Sequence, residues 1–304
     1  MNISVLLTCH NRRAKTESCL RSLMEALESY NKRAEEQIYI EVFLTDDGST
    51  DGTSEAARKI IPDENVLHIL QGDGNLFWAR GMCKAWEEAL KYAEKWHFYL
   101  LLNDDVVLMD NVFDELLMAN KYSMDTFGIQ GLYSGHCCDP LDHTKRTFGG
   151  HVWQNRFKGL TRVMVPTGKP EMCDITNANI LMVSPNVVKR IGIFNKAFHH
   201  GGADYSYSIY ARDKGFPVLL TANFCGICEF DHPSLASEED KVVKMSLKER
   251  RAYFKHPLHC AKDRLVAARI ETPIRYPFVL AGIIMNIYFP KIYYSLLNRK
   301  KNTK

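Results

Sequence analysis

Over the first 120 residues, short apolar runs alternate with stretches whose apolar positions recur at three and four residues. Residues 3–8 read as a buried strand, and from Thr16 the set Leu20, Leu23, Met24, Leu27 and Tyr30 falls on one helical face. Residues 38–45, rich in β-branched and aromatic side chains, end at the turn signal Asp46-Asp47-Gly48-Ser49. A helix starts near Thr53, and residues 66–70 form a third short strand. Met82, Ala85, Trp86, Ala89, Leu90, Ala93 and Trp96 mark one face of a long helix. Residues 98–102 make a fourth apolar strand, stopped by Asn103-Asp104-Asp105. Strands alternating with helices predict an α/β fold, a mostly parallel sheet flanked by helices. Ligands bind such sheets at the carboxyl ends of the strands, which directs attention to residues 8–11, 46–49 and 103–105.

Residues 121–235 are less regular and richer in Gly, Asn and His, with strand-like pieces at 175–183 and 216–221. No repeat or low-complexity linker interrupts 1–235, which reads as one domain, with 236–304 as a C-terminal helical extension. Within the extension, residues 277–289 are apolar but closed by Pro290. At about 13 residues this run is shorter than the ~20 that cross a bilayer as a helix.

The chain has 304 residues, 46% hydrophobic and 25% charged, the balance of an ordinary globular protein. Charge changes the picture of the tail. Residues 241–304 carry fifteen Lys/Arg against three Asp/Glu, a balance of +12 in a chain whose net charge is +3. Such a segment suits an anionic membrane surface, and its apolar run suits either an interfacial anchor or packing on the domain or on a second subunit. No nucleic-acid partner is expected. Nine cysteines at irregular spacing, Cys137 and Cys138 adjacent, argue against a secreted disulfide framework and for reduced thiols. Met1-Asn2-Ile3-Ser4 enters a strand with no basic leader, so the expected location is cytoplasmic, peripheral to the inner face of the membrane.

Two carboxylate pairs, Asp46-Asp47 and Asp104-Asp105, each follow a strand and so belong at one sheet edge. Adjacent carboxylates raise each other's pKa unless a cation or a donor-rich ligand faces them. Oxygen ligands suit Mn²⁺ or Mg²⁺, which are commonly held by one or two carboxylates plus substrate phosphates. Together the pairs point to a nucleoside diphosphate held by a metal.

Val5-Leu6-Leu7-Thr8-Cys9-His10-Asn11-Arg12, Leu44-Thr45-Asp46-Asp47-Gly48-Ser49-Thr50-Asp51-Gly52-Thr53 and Leu101-Leu102-Asn103-Asp104-Asp105 closely resemble the family 2 glycosyltransferases. The resemblance covers roughly residues 1–235. It implies a GT-A fold, Rossmann-like, and inverting, metal-dependent sugar transfer from a nucleotide donor to a glycan or lipid-linked acceptor in surface polysaccharide assembly. Residue by residue, it implies that Thr8 and His10 line the base pocket, that Asp47 accepts from a pyrimidine N–H and that Asp104 holds the ribose. Asp105 takes the metal-ligating end of a D-x-D motif whose first position is here Asn103. Gly72-Asp73-Gly74-Asn75-Leu76-Phe77-Trp78-Ala79-Arg80-Gly81 resembles the family's segment before its third helix. Asn11 and Asn75 join the implied donor contacts, and Arg80 matches phosphate geometry.

Inverting transfer needs a base to deprotonate the acceptor hydroxyl. The family supplies an acidic residue from a loop that opens a helix, and Phe198-His199-His200-Gly201-Gly202-Ala203-Asp204-Tyr205 matches it, making Asp204 the expected base. His232, in Phe230-Asp231-His232-Pro233, is in a suitable place to complete the metal site, while His199 or His200 is placed for acceptor or phosphate. Cys225-x-x-Cys228 has the spacing of half a zinc site but no second half, so it reads as structural. A sugar nucleotidyltransferase lacks its glycine-rich phosphate loop here, and a dinucleotide oxidoreductase lacks G-x-G-x-x-G after the first strand. A non-catalytic carbohydrate- or nucleotide-binding scaffold fits poorly with Asp47, Asp104, Asp105 and Asp204 all being present.

Overall fold

The computed structural model describes residues 1–230 and 235–301. His232, expected at the metal, lies outside them. Four strands, β1 (Asn2–Cys9), β2 (Tyr39–Asp46), β3 (Leu67–Gln71) and β4 (Phe98–Leu102), form the parallel half of the main sheet in the order β3-β2-β1-β4. Helices α1 (Arg13–Arg33), α2 (Thr53–Ile60) and α3 (Phe77–Leu90) connect them. β1 from Ile3 onward and the whole of β4 are buried, which is why both read as largely apolar runs. Their alternation divides them between two cores. Ile3, Val5, Leu7, Leu100 and Leu102 pack with Cys19, Leu20 and Leu23 of α1. Leu6, Tyr99 and Leu101 pack on the other face with Met82 and Trp86 of α3 and with Phe194 and Tyr207.

Beyond β4 the sheet becomes mixed. Strand Ile180–Val183 lies antiparallel between β4 and Leu132–Cys138, and Val218–Ile227 then runs parallel to Leu132–Cys138 with two register shifts. The apolar stretch 175–183 is therefore not one strand. Ile175–Thr176 joins a small second sheet with Gly150–Asn155, and the chain breaks at Asn177, Ala178 and Asn179 before entering the main sheet. α3 also ends earlier than its apolar spacing predicts. It stops at Leu90, and a 3₁₀ turn, Ala93–Lys95, follows; Trp96 still reaches the core because its indole N–H donates to the Ala89 carbonyl at 2.8 Å.

The C-terminal region is helical: Leu235–Lys244, Leu247–Tyr253, Ala261–Glu271, Tyr276–Tyr288 and Pro290–Lys301. Val242, Phe254 and Tyr294 form a small core of their own. Arg156 ties this region to the body, donating to the Glu271 carbonyl and pairing with Asp213 at 2.6 and 2.7 Å. Among the described residues, no helix is long and apolar enough to cross a membrane.

Candidate active site

β2 and β4 flank β1 in parallel, so the turns after β1, β2 and β4 meet at one sheet edge, as their sequences predict. Asn11 sits at φ 49°, a left-handed conformation that Asn tolerates better than most side chains. Its N–H donates to Ser49 Oγ and its side-chain oxygen accepts from the Thr50 N–H, at 2.9 and 2.8 Å. The Asn11 side chain thus staples the β1 turn to the β2 turn. His10 does the same through its Nδ1–H, which donates to the Asp47 carbonyl at 2.6 Å.

The Asp46-Asp47 pair divides into two tasks. Asp46 closes its own turn, accepting from the Ser49 N–H and from the Ser54 hydroxyl. Asp47, 3% exposed, accepts three backbone N–H groups: Gly74 at 2.9 Å on Oδ1, and Leu76 and Phe77 at 3.0 and 2.9 Å on Oδ2. An ionised carboxylate offers about four acceptor positions, so one remains for a ligand donor. The bonds hold Phe77 at φ 57°, a strained conformation for a bulky residue, at the first turn of α3. A Cβ on Gly72 would lie 2.4 Å from Asp47 Oδ1, so the loop passes the carboxylate only as glycine. Thr8 is buried against α3, where a Cβ on Gly81 would lie 2.1 Å from its Oγ1. Asn75 is exposed at the loop tip and Arg80 half-buried on α3.

Asp104 and Asp105 share one cation. The Arg12 guanidinium reaches Asp104 Oδ1 at 3.2 Å and Asp105 Oδ2 at 2.5 Å. Asp104 is 4% exposed and also accepts from Thr16 Oγ1 at 3.2 Å. Burial pushes its carboxyl up to about 6, against the pull of Arg12 and with a further push from Asp105. Asn103, standing where the family motif has an acid, accepts the Trp78 indole N–H at 2.7 Å. Asp105 Oδ1 faces the Cys228 thiol at 3.8 Å. The partly exposed Asp105 carboxylate is a hard oxygen donor of the kind that suits Mn²⁺ or Mg²⁺.

Asp204 opens the helix Ala203–Asp213 behind Gly202, whose φ of 85° suits glycine. Its Oδ2 accepts from the Ala178 N–H at 3.1 Å, and the Asn179 carbonyl next along accepts from the Asn103 N–H at 3.0 Å. The break at 177–179 therefore bridges Asp204 to the Asp104-Asp105 turn. From the other side, Asp263 of the helix Ala261–Glu271 clamps the loop that precedes Asp204. Its Oδ2 accepts from the His199 and His200 N–H groups at 2.9 and 3.1 Å, and its Oδ1 from His199 Nδ1 at 2.7 Å. His199, Asp263 and Cys260 lie within 4.8 Å of one another, a set with metal-ligand chemistry, but these bonds already occupy the carboxylate. Ser206 Oγ donates to Glu271 Oε1 at 2.9 Å, and burial raises the Glu271 carboxyl.

The structure brings Thr8, His10, Asn11, Asp47, Asp104, Asp105 and Asp204 to one edge, with Asn75 and Arg80 on the loop and helix beside them. Sequence reasoning missed Arg12 as the shared partner of both aspartates, and Asp263 as the clamp. The signal for Asp263 was its rarity, an acid in a strongly basic segment. A family model described as glycosyl transferase family 2 matches residues 4–177, a span that includes the turns after β1, β2 and β4 and stops before Asp204. No protein of curated function matches the sequence. Among solved structures, a mannosyltransferase from Pyrobaculum calidifontis in complex with GDP-Man and Mn²⁺ is 14% identical, with 99% of this chain and 79% of that one covered, at a TM-score of 0.49. Residues 1–349 of TarS from S. aureus are 13% identical, with 96% and 82% covered, at a TM-score of 0.51, a likeness of fold.

Proposed function

The chain belongs to glycosyl transferase family 2 and has the GT-A fold, and we propose that it transfers a sugar with inversion from a nucleoside diphosphate donor to an acceptor hydroxyl. One observation carries the inverting reading: Asp204 is joined to the Asp104-Asp105 turn through the short bridge at 177–179. The bridge supports this reading because it fixes the proposed base relative to the proposed donor turn.

In this reading Asp47 orders the loop at 72–77 and offers its remaining acceptor position to the base, while Asp104 accepts a ribose hydroxyl. Asp105 would hold Mn²⁺ or Mg²⁺, which when bound stabilises the diphosphate as it leaves. Arg12 neutralises the two carboxylates and stands ready to turn toward phosphate oxygens. Asp204 takes the proton of the acceptor hydroxyl as its oxygen attacks the anomeric carbon. The bond between that carbon and the diphosphate oxygen breaks, and its electron pair leaves with the nucleotide. The Ala178 N–H donates to one oxygen of the Asp204 carboxylate and the Tyr205 N–H to the other, which fixes its orientation.

We further assign a glycan or lipid-linked acceptor and a peripheral place at an anionic membrane. This rests on the exposed apolar side chains of the last two helices, Phe278 at 71%, Ile284, Phe289, Ile292 and Leu296, in a segment of +12 charge. Vesicles containing phosphatidylglycerol should pellet the intact chain, and Phe278→Ser with Phe289→Ser should release it. Equal pelleting of both removes the membrane reading.

The transfer itself is tested with a panel of nucleotide sugars, in Mn²⁺ and in EDTA, by nucleoside diphosphate release. Slow, metal-dependent release from one donor is expected, with Asp204→Asn reducing turnover in the presence of acceptor by about 10²-fold or more. Release from no donor, with no nucleotide raising the melting temperature, refutes the reading.

A further inference from the structure

The strands Gly150–Asn155 and Leu160–Val163 form a hairpin on the body of the fold, and its turn presents two side chains to solvent. Asn155 Oδ1 accepts from the Lys158 N–H at 2.8 Å, the Gly159 N–H donates to the Arg156 carbonyl at 3.1 Å, and Gly159 takes the φ of 67° that closes the turn. Arg156 points back, held by Asp213 and the Glu271 carbonyl. Phe157 and Lys158 are left facing outward, Phe157 57% exposed. The Arg275 guanidinium rests on the same turn, since a Cβ on Gly159 would lie 2.6 Å from its Cζ. The turn therefore abuts the start of the apolar helix Tyr276–Tyr288, where Ile274 is 60% exposed and Phe278 more so. We propose that the hairpin turn is a second membrane contact, seating Phe157 among the headgroups of an anionic leaflet beside the C-terminal helices; this rests on the membrane reading above.

Charge picks the partner. Residues 1–240 carry 24 Lys/Arg against 33 Asp/Glu, yet residues 143–170 hold six Lys/Arg and no acid. Of these six, Lys158, Arg162 and Lys169 are exposed and have no ion-pair partner among the described residues. A basic stretch in an otherwise acidic domain favours an anionic surface, where each Lys or Arg gains from the lipid charge. An aromatic ring next to such side chains suits headgroup depth, with the ring in the apolar boundary and the cations at the phosphates. The turn is already ordered by its own hydrogen bonds, so docking costs little further backbone freedom. Contacts from two elements hold the body itself on the surface, and not only its tail.

The test sediments the full-length chain with vesicles of phosphatidylcholine mixed with phosphatidylglycerol, and with vesicles of phosphatidylcholine alone, over a range of lipid concentrations. Phe157→Ser should weaken partition to the anionic vesicles about tenfold, and Lys158→Gln about fivefold. Both variants should melt at the temperature of the natural chain, because both side chains are exposed. Unchanged partition in both variants, while Phe278→Ser with Phe289→Ser still weakens it, overturns the hairpin contact and leaves the membrane reading standing. No partition of the natural chain to anionic vesicles removes both. Equal partition of the natural chain to the neutral vesicles overturns the choice of an anionic leaflet. A natural chain that is a dimer without lipid, and a monomer once Phe157→Ser is made, places the turn between two copies and overturns the proposal.

Discussion

Asp104→Asn should make the metal-free protein more stable at neutral pH. Asp104 is almost fully buried, and burial, its largest perturbation, raises its carboxyl from 3.8 to about 6 despite Arg12. Below about pH 4 the group is protonated in the folded and unfolded chains alike, and it favours neither. Between about pH 4 and pH 6 the unfolded chain releases the proton while the folded one keeps it, so stability falls as pH rises through this window. Each pH unit of that displacement is worth about 1.4 kcal/mol, so the ionised carboxylate costs the fold about 3 kcal/mol above pH 6. Asparagine keeps the shape and an oxygen for Arg12, and its amide N–H can donate to the Thr16 hydroxyl, which still donates to the Arg12 carbonyl, all without the buried charge. Calorimetry in EDTA should therefore show the variant melting about 5 °C higher near pH 7.5, with the gap closing toward pH 4. Adding Mn²⁺ and donor nucleotide should raise the melting temperature of the natural protein more than that of the variant. A variant no more stable than the natural protein at pH 7.5, or a gap independent of pH, refutes the account of Asp104 as a group held charged against its environment.

Asp47→Ala leaves the Gly74, Leu76 and Phe77 N–H groups without their acceptor and should cost about 3 kcal/mol or more, read by urea unfolding, together with loss of nucleotide-induced stabilisation. Gly81→Ala forces a Cβ to 2.1 Å from Thr8 Oγ1 and should destabilise by about 1–3 kcal/mol; Thr8→Ala in the same chain should recover part of this, a coupling measured by a double-mutant cycle. Asp263→Asn removes the charge that holds the His199 and His200 N–H groups, and should lower kcat about tenfold with nucleotide binding unchanged. An equal loss in nucleotide binding would place Asp263 in general stability rather than in holding the base loop.

The parallel half of the sheet was legible because β1, β2 and β4 are buried enough to appear as apolar runs, each stopped by polar turn residues. Their ends fall within one residue of the expected ones. The stretch 175–183 misled because its apolar residues pack in two sheets, and the break between them is set by what it bonds rather than by its own propensities. Trp96 misled because a residue can reach a helix's core face from the loop beyond it. At the site, position was legible and partnership was not. The sequence marks Asp47 as a strand-end acid, but only the fold shows the N–H groups 27–30 residues away that converge on it.

Arg12 and Asp263 are the two partners that change the chemistry most, and they act in complementary ways. Arg12 lets adjacent aspartates persist at a buried strand end before any ligand arrives, so the charge of this turn is balanced by the chain itself. Asp263 reaches from the C-terminal helices to the loop that carries Asp204, while Glu271 of the same helix accepts from Ser206 one turn further on. The third acid of that segment, Glu249, caps its own helix in a box with Ser246. Two of the three acids in a basic tail are thus spent on the residues flanking Asp204, and a cavity they help line opens beside them. The segment whose exposed face carries the basic and apolar side chains thus grips, on its inner face, the residues around Asp204. That grip is why the kcat loss expected for Asp263→Asn should come with unchanged nucleotide binding: the variant loosens the residues before Asp204 and leaves the Arg12 pairing at the Asp104-Asp105 turn in place.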